Sequence, residues 1–341
     1  MLDLGRTFLQ SVERSPREVA IVDGALRLSY YQWARRIGAA QRGLAAAGLV
    51  RGDHLLVVLQ NRWEMATLHW ACQFAGIVMT PLNWRAKPEE IDYCLADAEA
   101  KAIVWEQVAD AAVAASSAAS RALLIGVGDV HGATLRFEDW MAAEAEPMPR
   151  AEANDWSLML YTSGTTGKPK GVPRRHRAER IAALAHVAQN RYGVGECTLG
   201  VMPLYHTMGV RSLLSLALID GRFVCIPRFD ATRALEAIRD EEVTHLYLVP
   251  TLYHDLLSHP SFASTDTRSV RKLGFAGAPM HDALLKRLQT VFEPELFVNH
   301  YGSSEIYTFS INQRAAEKPG SAGRAGLNTR LRVVRLDQRD P

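Results

Sequence analysis

The chain has 341 residues, of which 48% are hydrophobic and 22% are charged. This balance is typical of a folded globular protein and argues against disorder, collagen and a coiled coil. With 39 basic and 37 acidic residues the formal net charge is only +2, so no strongly basic surface points to nucleic acid or an anionic membrane.

The first part of the chain alternates helical and strand patterns. Apolar residues recur every three or four positions from Trp33 to Ala47, which predicts an amphipathic helix that stops at Gly48. Continuous apolar runs are typical of strands covered on both faces, as in a parallel sheet. The predicted strands are 54–59, 77–81 and 101–105, and the predicted helices are 62–75 and 88–97.

The second part repeats this alternation after an Ala-, Glu- and Pro-rich linker at 141–155. Its predicted strands are 158–161, 197–202, 222–226, 245–248, 272–275 and 296–298, and its predicted helices are 231–240 and 281–292. Strands that alternate with helices indicate the α/β class. We expect a first α/β subdomain at 1–154 and a second at 155–341.

Cysteine usage and the amino terminus bear on the compartment. The four cysteines lie far apart without zinc-ligand spacing, so we predict small buried hydrophobic residues in a reducing compartment. They are Cys72, Cys94, Cys197 and Cys225. The amino terminus has no apolar signal region, and the longest uncharged run, 68–84, is shorter than the roughly 20 residues of a membrane helix. We therefore predict a cytoplasmic protein without a membrane span.

The most informative segment is YTSGTTGKPKG at 161–171. Each residue from Thr162 to Gly167 is glycine or carries a hydroxyl group, and glycines let a backbone approach a ligand closely. Exposed N–H groups and hydroxyls suit phosphate, and Lys168 and Lys170 can offset its charge. The spacing differs from a Walker A loop, because only two residues separate the first two glycines and proline follows the lysine.

A basic run follows this segment at 174–177. We predict that it is the solvated start of a helix, and a role for His176 in attracting ATP is the less favoured interpretation.

This loop and several later segments together resemble the adenylate-forming superfamily, which includes acyl- and aryl-CoA synthetases. The later segments follow the family's order: PLYH at 203–206, GAP at 277–279, YGSSE at 301–305 and GSAGR at 320–324. Shorter likenesses occur at 61–64, 75–77 and 81–83. In YGSSE, Ser304 stands where the family usually has threonine; it keeps the hydroxyl donor, so we expect function to be retained.

The resemblance implies an α/β fold, that of the large N-terminal domain of adenylate-forming enzymes. This domain has two helix-flanked, mostly parallel sheets and a small β-barrel-like subdomain. The implied reaction has two steps: a carboxylate attacks the α-phosphate of ATP to give an acyl-adenylate and pyrophosphate, and a thiol, usually that of CoA, then displaces AMP. ATP, Mg²⁺ and CoA are the implied cofactor and co-substrates.

The resemblance also implies roles for individual residues. The ATP phosphates would be held by Thr162, Ser163, Gly164, Thr165, Thr166, Gly167 and Lys168. The adenine and AMP would be held by Gly277, Ala278, Pro279 and Tyr301. The acid pocket would be formed by His206, Tyr247, Ala276, His300, Gly302 and Tyr307. Catalytic roles fall to His206, Ser304 and Glu305, and Glu305 would also hold Mg²⁺.

The resemblance also narrows the class of acid. Peptide-synthetase adenylation domains, which belong to this superfamily, have an aspartate near the position of His206 that binds the ammonium group of an amino acid. The segment 203–214 has no aspartate, and Asp230 instead suits the N-cap of a helix, so an amino-acid substrate is disfavoured. The segments 202–209, 218–221 and 275–280 most resemble benzoate-type ligases such as chlorobenzoate–CoA ligase. Aromatic side chains beside small residues form a flat slot, and two histidines with a tyrosine hint at a polar ring substituent. A short- or medium-chain aliphatic acid is the alternative.

The family's Thr-Gly-Asp motif, its hinge and its small C-terminal domain with a catalytic lysine are missing before Pro341. We therefore expect a catalytically incomplete chain. A fragment that only binds ATP or acyl-adenylate is the alternative. A non-enzymatic scaffold is disfavoured by the phosphate loop. The expected partners are a small carboxylic acid, ATP and CoA, with no nucleic acid, and a homodimer stays open.

Overall fold

Two mostly parallel β-sheets flanked by helices organise the chain in this computed structural model, which describes residues 2–162 and 168–335. The helices are α1 (Leu4–Arg14), α2 (Tyr30–Ala46), α3 (Trp63–Ala75), α4 (Pro88–Asp97), α5 (Asp110–Ala115), α6 (Phe137–Trp140), α7 (His176–Gln189), α8 (Thr207–Leu216), α9 (Ala231–Asp240), α10 (Pro250–Ser258) and α11 (Asp282–Phe292). Short 3₁₀ turns are Gln107–Ala109, Ala119–Arg121 and Pro260–Ser264.

The strands alternate with these helices along most of the chain, which confirms the predicted α/β class. They are β1 (Val19–Asp23), β2 (Leu26–Ser29), β3 (His54–Val58), β4 (Val78–Pro81), β5 (Ala102–Glu106), β6 (Leu123–Val127), β7 (Leu135–Arg136), β8 (Trp156–Thr162), β9 (Lys170–Arg175), β10 (Cys197–Gly200), β11 (Arg222–Cys225), β12 (His245–Leu248), β13 (Lys272–Phe275), β14 (Leu296–Tyr301), β15 (Ser310–Asn312) and β16 (Arg324–Ala325).

One sheet has nine strands in the order β16-β15-β14-β13-β12-β10-β11-β1-β2, and the other has seven in the order β7-β6-β5-β3-β4-β8-β9. The sheets exchange segments across the expected boundary at 154/155, because β1 pairs with β11 and β8 pairs with β4. The division into subdomains at that point stays a prediction. Residues 2–162 and 168–335 form no third sheet, so the expected β-barrel-like subdomain is not observed there.

Local sequence explains where individual helices begin and what they bury. Ser29 and Gln32 form a capping box at the start of α2, and Asp230 accepts a hydrogen bond at the start of α9, as predicted. Helix α3 is buried along nearly its whole length, which explains why it lacks the charged face of a surface helix. The uncharged run at 68–84 is thus a buried helix followed by β4, as predicted.

The largest hydrophobic core joins the two sheets. It combines buried residues of α1, α2 and α3 with strand residues of both sheets. All four cysteines are buried and free, as predicted. Within the described ranges, no helix combines the length and the apolar character needed to cross a bilayer.

Candidate active site

Four neighbouring parallel strands of the nine-stranded sheet, β10, β12, β13 and β14, end at the same edge. The carboxyl edge of a parallel sheet is where ligands bind in open α/β folds. These strands and the segments that follow them contain the residues predicted for the acid and for adenine. They meet there in two adjoining cavities.

The first cavity has a volume of about 370 Å³ and brings together all six residues predicted for the acid pocket. These are His206, Tyr247, Ala276, His300, Gly302 and Tyr307. The sequence had not assigned a site role to five further lining residues, which are Met202, Thr207, Met208, Val249 and Ser303. Ser304 and Gly277 also line this cavity.

The second cavity has a volume of about 300 Å³ and contains the four residues predicted for adenine and AMP. These are Gly277, Ala278, Pro279 and Tyr301. Its opposite wall includes the segment Gly320–Ala322, part of the GSAGR likeness, together with Asn299 and Lys318. The side chain of Asn299 holds that wall by donating to the carbonyl of Ser321 at 3.1 Å.

The two cavities share Gly277, His300 and Gly302. Gly277 has φ +85°, a conformation that favours glycine. A Cβ atom at Gly302 would lie 1.9 Å from the carbonyl oxygen of Tyr307, so the backbone could not turn in this way with a larger residue. The backbone shared by the two cavities therefore depends on glycine at both points.

Glu305 follows this turn and is exposed. A hydrogen bond from its own backbone N–H and one from Ser303 lower the pKa of its carboxyl, with smaller contributions from Arg174 and Lys170. The carboxylate is thus ionised at neutral pH and available to a cation. No group of three or more His, Cys, Asp or Glu side chains that could hold a metal occurs in the described part of the chain.

The phosphate loop is described only at its ends, since Ser163–Gly167 lie outside the described residues. At its base β8 and β9 pair antiparallel, with Thr162 opposite Lys170. Lys168 is exposed, and its Nζ lies 5.9 Å from the ring centroid of Tyr93. Strand β9 also contacts the YGSSE turn, because Arg174 donates from Nη1 to the carbonyl of Ser304 at 2.6 Å. This contact ties the strand that leaves the phosphate loop to the turn carrying Glu305.

His206 occupies the N-cap position of α8 at the mouth of the first cavity. Its side chain is exposed, yet the protein atoms crowded around it reduce its hydration and lower the pKa of its imidazole. The imidazole is therefore predominantly neutral at pH 7.

Known proteins are similar to this chain over most of its length. The family described as AMP-binding enzyme matches residues 8–341. The chain belongs to this family.

Individual relatives act on different kinds of acid. The chain is 30% identical to a feruloyl-CoA synthase of Amycolatopsis sp. over 337 residues, which is 97% of this chain and 66% of the relative. It is 32% identical to a 4-chlorobenzoate–CoA ligase of Pseudomonas sp. (strain CBS-3) over 332 residues, or 96% of this chain and 62% of the relative.

The solved structure of a Mycobacterium tuberculosis fatty acyl CoA synthetase superposes with a TM-score of 0.84 at 25% identity. The match covers 96% of this chain and 65% of that structure. The chain thus spans less than two thirds of the length of each of these three proteins.

The expectation for the basic run is wrong in part. The basic run at 174–177 does begin a helix, α7, but two of its members are not solvated: Arg174 is 8% exposed and His176 is fully buried. His176 Nδ1 accepts a hydrogen bond from the backbone N–H of Leu4 at 3.2 Å. The sequence pattern missed this because the amino-terminal helix α1 covers the site from 172 residues away.

A buried cluster behind the first cavity was also missed. Glu179 on α7 forms ion pairs with Arg174 and, at 3.3 Å, with Arg211 of α8, and all three side chains are at most 8% exposed. Burial raises the pKa of the Glu179 carboxyl, but the two guanidinium groups outweigh it and the pKa lies below its usual value. The Arg211 guanidinium lies 4.2 Å from the ring centroid of Tyr307. In the sequence, Arg211 is an isolated charge in a long apolar run, which is the one signal that could have indicated a paired buried ion.

Proposed function

We propose that this AMP-binding enzyme activates a carboxylic acid with ATP, forming an acyl-adenylate and pyrophosphate. In the whole protein the acyl group then passes to the thiol of CoA, with release of AMP. The observation that carries this proposal is the pair of cavities that meet at Gly277, His300 and Gly302, one containing the residues expected for adenine and the other those expected for the acid.

The second cavity suits a nucleotide whose phosphates extend toward the β8–β9 hairpin. The flat ring of Tyr301 offers a stacking surface, and the small residues 277–278 let the purine lie against the backbone. The Ser304 hydroxyl donates to the α-phosphate, and residues 162–168 hold the β- and γ-phosphates. Mg²⁺ fits Glu305 as a partial ligand, because this ion is typically held by one or two carboxylates together with phosphates and water; it neutralises phosphate charge.

The first step needs positioning more than proton transfer, because the attacking carboxylate is already ionised at neutral pH. Its oxygen must lie in line with the bond to the leaving pyrophosphate. A neutral His206 orients this carboxylate through an N–H donor without forming a full ion pair, which would make the oxygen a poorer nucleophile. The bond from phosphorus to pyrophosphate breaks as the new carboxylate–phosphate bond forms.

The favoured acid is aromatic and resembles benzoate. The cavity volume of about 370 Å³ lies at the low end of the roughly 300–1,000 Å³ seen for small-molecule sites, which favours a compact acid. Tyr247, His300 and Tyr307 supply flat walls, and Ala276 leaves room for a ring. A short- or medium-chain aliphatic acid is the second candidate, because Met202, Met208 and Val249 also line the cavity.

The resemblance to the family also supports a proposal about the domain organisation of the chain. We propose that the chain corresponds to the large N-terminal domain of an acyl-CoA synthetase, with subdomains at 1–154 and 155–341. Cytoplasmic location and a homodimer remain predictions.

A panel of carboxylic acids tests the proposed function. We expect ATP, Mg²⁺ and a matching acid to raise the melting temperature together, since a ligand at 100 times its dissociation constant adds about 2.7 kcal/mol of stability. Acid-dependent release of pyrophosphate, measured on the same samples, separates catalysis from binding alone. Stabilisation without pyrophosphate would favour the binding-only alternative, and no response to ATP would contradict the proposal.

A further inference from the structure

The buried side chain of Asn61 connects the two sheets. Asn61 is 4% exposed, follows β3 of the seven-stranded sheet and begins the family likeness at 61–64, to which the proposed function gives no role. Its Nδ2 amide donates to the carbonyls of Gly200 at 2.9 Å and Met202 at 2.7 Å, and its Oδ1 atom accepts from the backbone N–H of Leu204 at 2.9 Å. Both amide hydrogens and the amide oxygen are thus used on one short stretch of backbone.

This stretch leads from the nine-stranded sheet into the first cavity, here called the acid cavity. Strand β10 ends at Gly200, and the PLYH segment begins at Pro203, which has no backbone N–H with which to anchor the turn. Met202 and His206 both line the acid cavity. Asn61 binds the backbone directly before Pro203 and directly after it, so its three hydrogen bonds fix the turn by which the chain reaches His206.

The loop that contains Asn61 is itself held in place. The carboxylate of Glu106, at the end of β5, accepts from the backbone N–H of Gln60 at 2.6 Å and from Nη1 of Arg62 at 3.1 Å. The backbone N–H of Asn61 donates to the carbonyl of Pro227, just after β11, at 3.3 Å. Because both neighbours of Asn61 are anchored, its amide is presented to the turn in one orientation.

The second cavity, here called the adenine cavity, is built from a different part of the chain. The residues that line it all belong to the segment 275–322, whereas the three hydrogen bonds of the Asn61 side chain are made to the segment 200–204. Loss of the Asn61 amide should therefore displace Met202 and His206 and leave the adenine cavity in place. Small displacements matter at such a site, because a shift of about 1 Å can cost roughly 100-fold in rate.

We propose that Asn61 is a positioning residue for the carboxylic acid: its amide holds the turn at 200–204 so that Met202 and His206 form the wall against which the acid binds. Asn61 is not among the residues that line the acid cavity, so it acts through the backbone. The inference rests on the proposed function, because it concerns the acid that this site activates.

Separate titrations of acid and nucleotide test this role. The probe is whichever of benzoate, salicylate, butyrate and hexanoate the unaltered chain binds most tightly, titrated by calorimetry with α,β-methylene-ATP and Mg²⁺ present. The methylene bridge blocks release of pyrophosphate, so binding is measured without reaction. We expect Asn61→Ala, which removes all three hydrogen bonds, to weaken binding of the acid roughly tenfold and binding of the nucleotide analogue alone by less than about twofold.

Gln41→Ala is the matched control. The Gln41 side chain is 7% exposed and also bridges two backbone groups, donating to the carbonyl of Met148 at 2.6 Å and accepting from its N–H at 2.8 Å. Gln41 lies on α2, outside the segments that line the two cavities. We expect Gln41→Ala to lower the melting temperature and to leave the affinity for the acid unchanged. An equal loss of acid affinity in Gln41→Ala and Asn61→Ala would overturn the inference, because it would show a general loss of packing.

A milder variant keeps the test decisive if Asn61→Ala does not fold. Asn61→Ser keeps a hydroxyl donor on a shorter side chain, and we expect it to weaken binding of the acid by a smaller factor, roughly threefold, again without affecting the nucleotide analogue. A shift in melting temperature with the analogue shows that a variant is folded. Unchanged acid affinity in a folded Asn61 variant, or equal weakening of both ligands, would overturn the inference and leave the proposed function intact. If the unaltered chain binds none of the four acids, both fail.

Discussion

At the scale of single residues, both cavities depend on two glycines, which have no side chain, as well as on the side chains that line them. Gly302 is required because of the close approach of the Tyr307 carbonyl, and Gly277 because of its positive φ. The sequence predicted these glycines through the family motifs, and the structure gives the steric reason. His206 and the threonines of the phosphate loop are expected to serve different ligands, which can be separated experimentally.

Two variants should each weaken the binding of a different ligand, ATP in one and the acid in the other. Thr165→Ala combined with Thr166→Ala removes the hydroxyl groups that we propose donate to phosphate, and His206→Ala removes the proposed donor to the acid. A hydrogen bond to a charged group contributes about 1.5–3 kcal/mol. The loss of such a bond should therefore weaken the binding of the corresponding ligand roughly 10- to 100-fold. Calorimetric titration of ATP and of the acid checks this, and equal losses for both ligands in either variant would contradict the assigned roles.

At the scale of elements, the buried ion cluster joins the strand leaving the phosphate loop to the helices behind the acid cavity. Arg174 belongs to β9, Glu179 to α7 and Arg211 to α8. Arg174 also holds the carbonyl of Ser304, so one carboxylate on α7 supports both the YGSSE turn and the wall formed by Tyr307. Two guanidinium groups share this single carboxylate, so its loss would leave two buried cations unpaired.

Glu179→Gln should therefore destabilise the fold strongly. Removing one partner from a buried ion pair typically costs about 3–5 kcal/mol. The matched control is Asp240→Asn, which breaks an exposed pair with Arg239 and should cost less than about 1 kcal/mol. Urea unfolding of both variants measures the difference, and comparable losses would show that the cluster is not structurally important.

At the scale of the whole molecule, several histidines are buried in their neutral form. Burial lowers the pKa of His69 and His176 to about 4 and that of His300 to about 3. In the unfolded chain these groups take up protons below a pH of about 6.5. Burial also raises the pKa of the Glu64 carboxyl to about 7. The folded protein therefore binds a proton at Glu64 in this pH range, which offsets the proton that one histidine takes up on unfolding.

The free energy of unfolding should thus fall as the pH drops from about 6.5 to about 4. The unfolded state binds more protons in this range, and each uncompensated histidine contributes about 1.4 kcal/mol per pH unit. Urea unfolding at several pH values measures the slope. His69→Leu should reduce the slope by about one proton. A slope that is the same in this variant as in the unaltered protein would contradict this explanation.

The sequence by itself determined the class of fold, about half of the strands and helices and, through the family motifs, the residues expected for the acid and for adenine that line the two cavities. Periodicity and apolar runs are local properties, so α4, α9 and β12 could be predicted to the residue. The motifs were equally informative, because PLYH, GAP and YGSSE come at or after the ends of β10, β13 and β14, and the carboxyl ends of parallel strands meet at one edge.

Only the tertiary structure decided which segments share a sheet and which polar groups are buried. The pairing of β1 with β11 spans about 200 residues, and no local pattern encodes it. The same holds for His176 beneath α1 and for the charge cluster of Arg174, Glu179 and Arg211, since burial depends on distant segments. The contact between His300 and Asn190 is of this kind too, because the two residues are 110 positions apart in the chain.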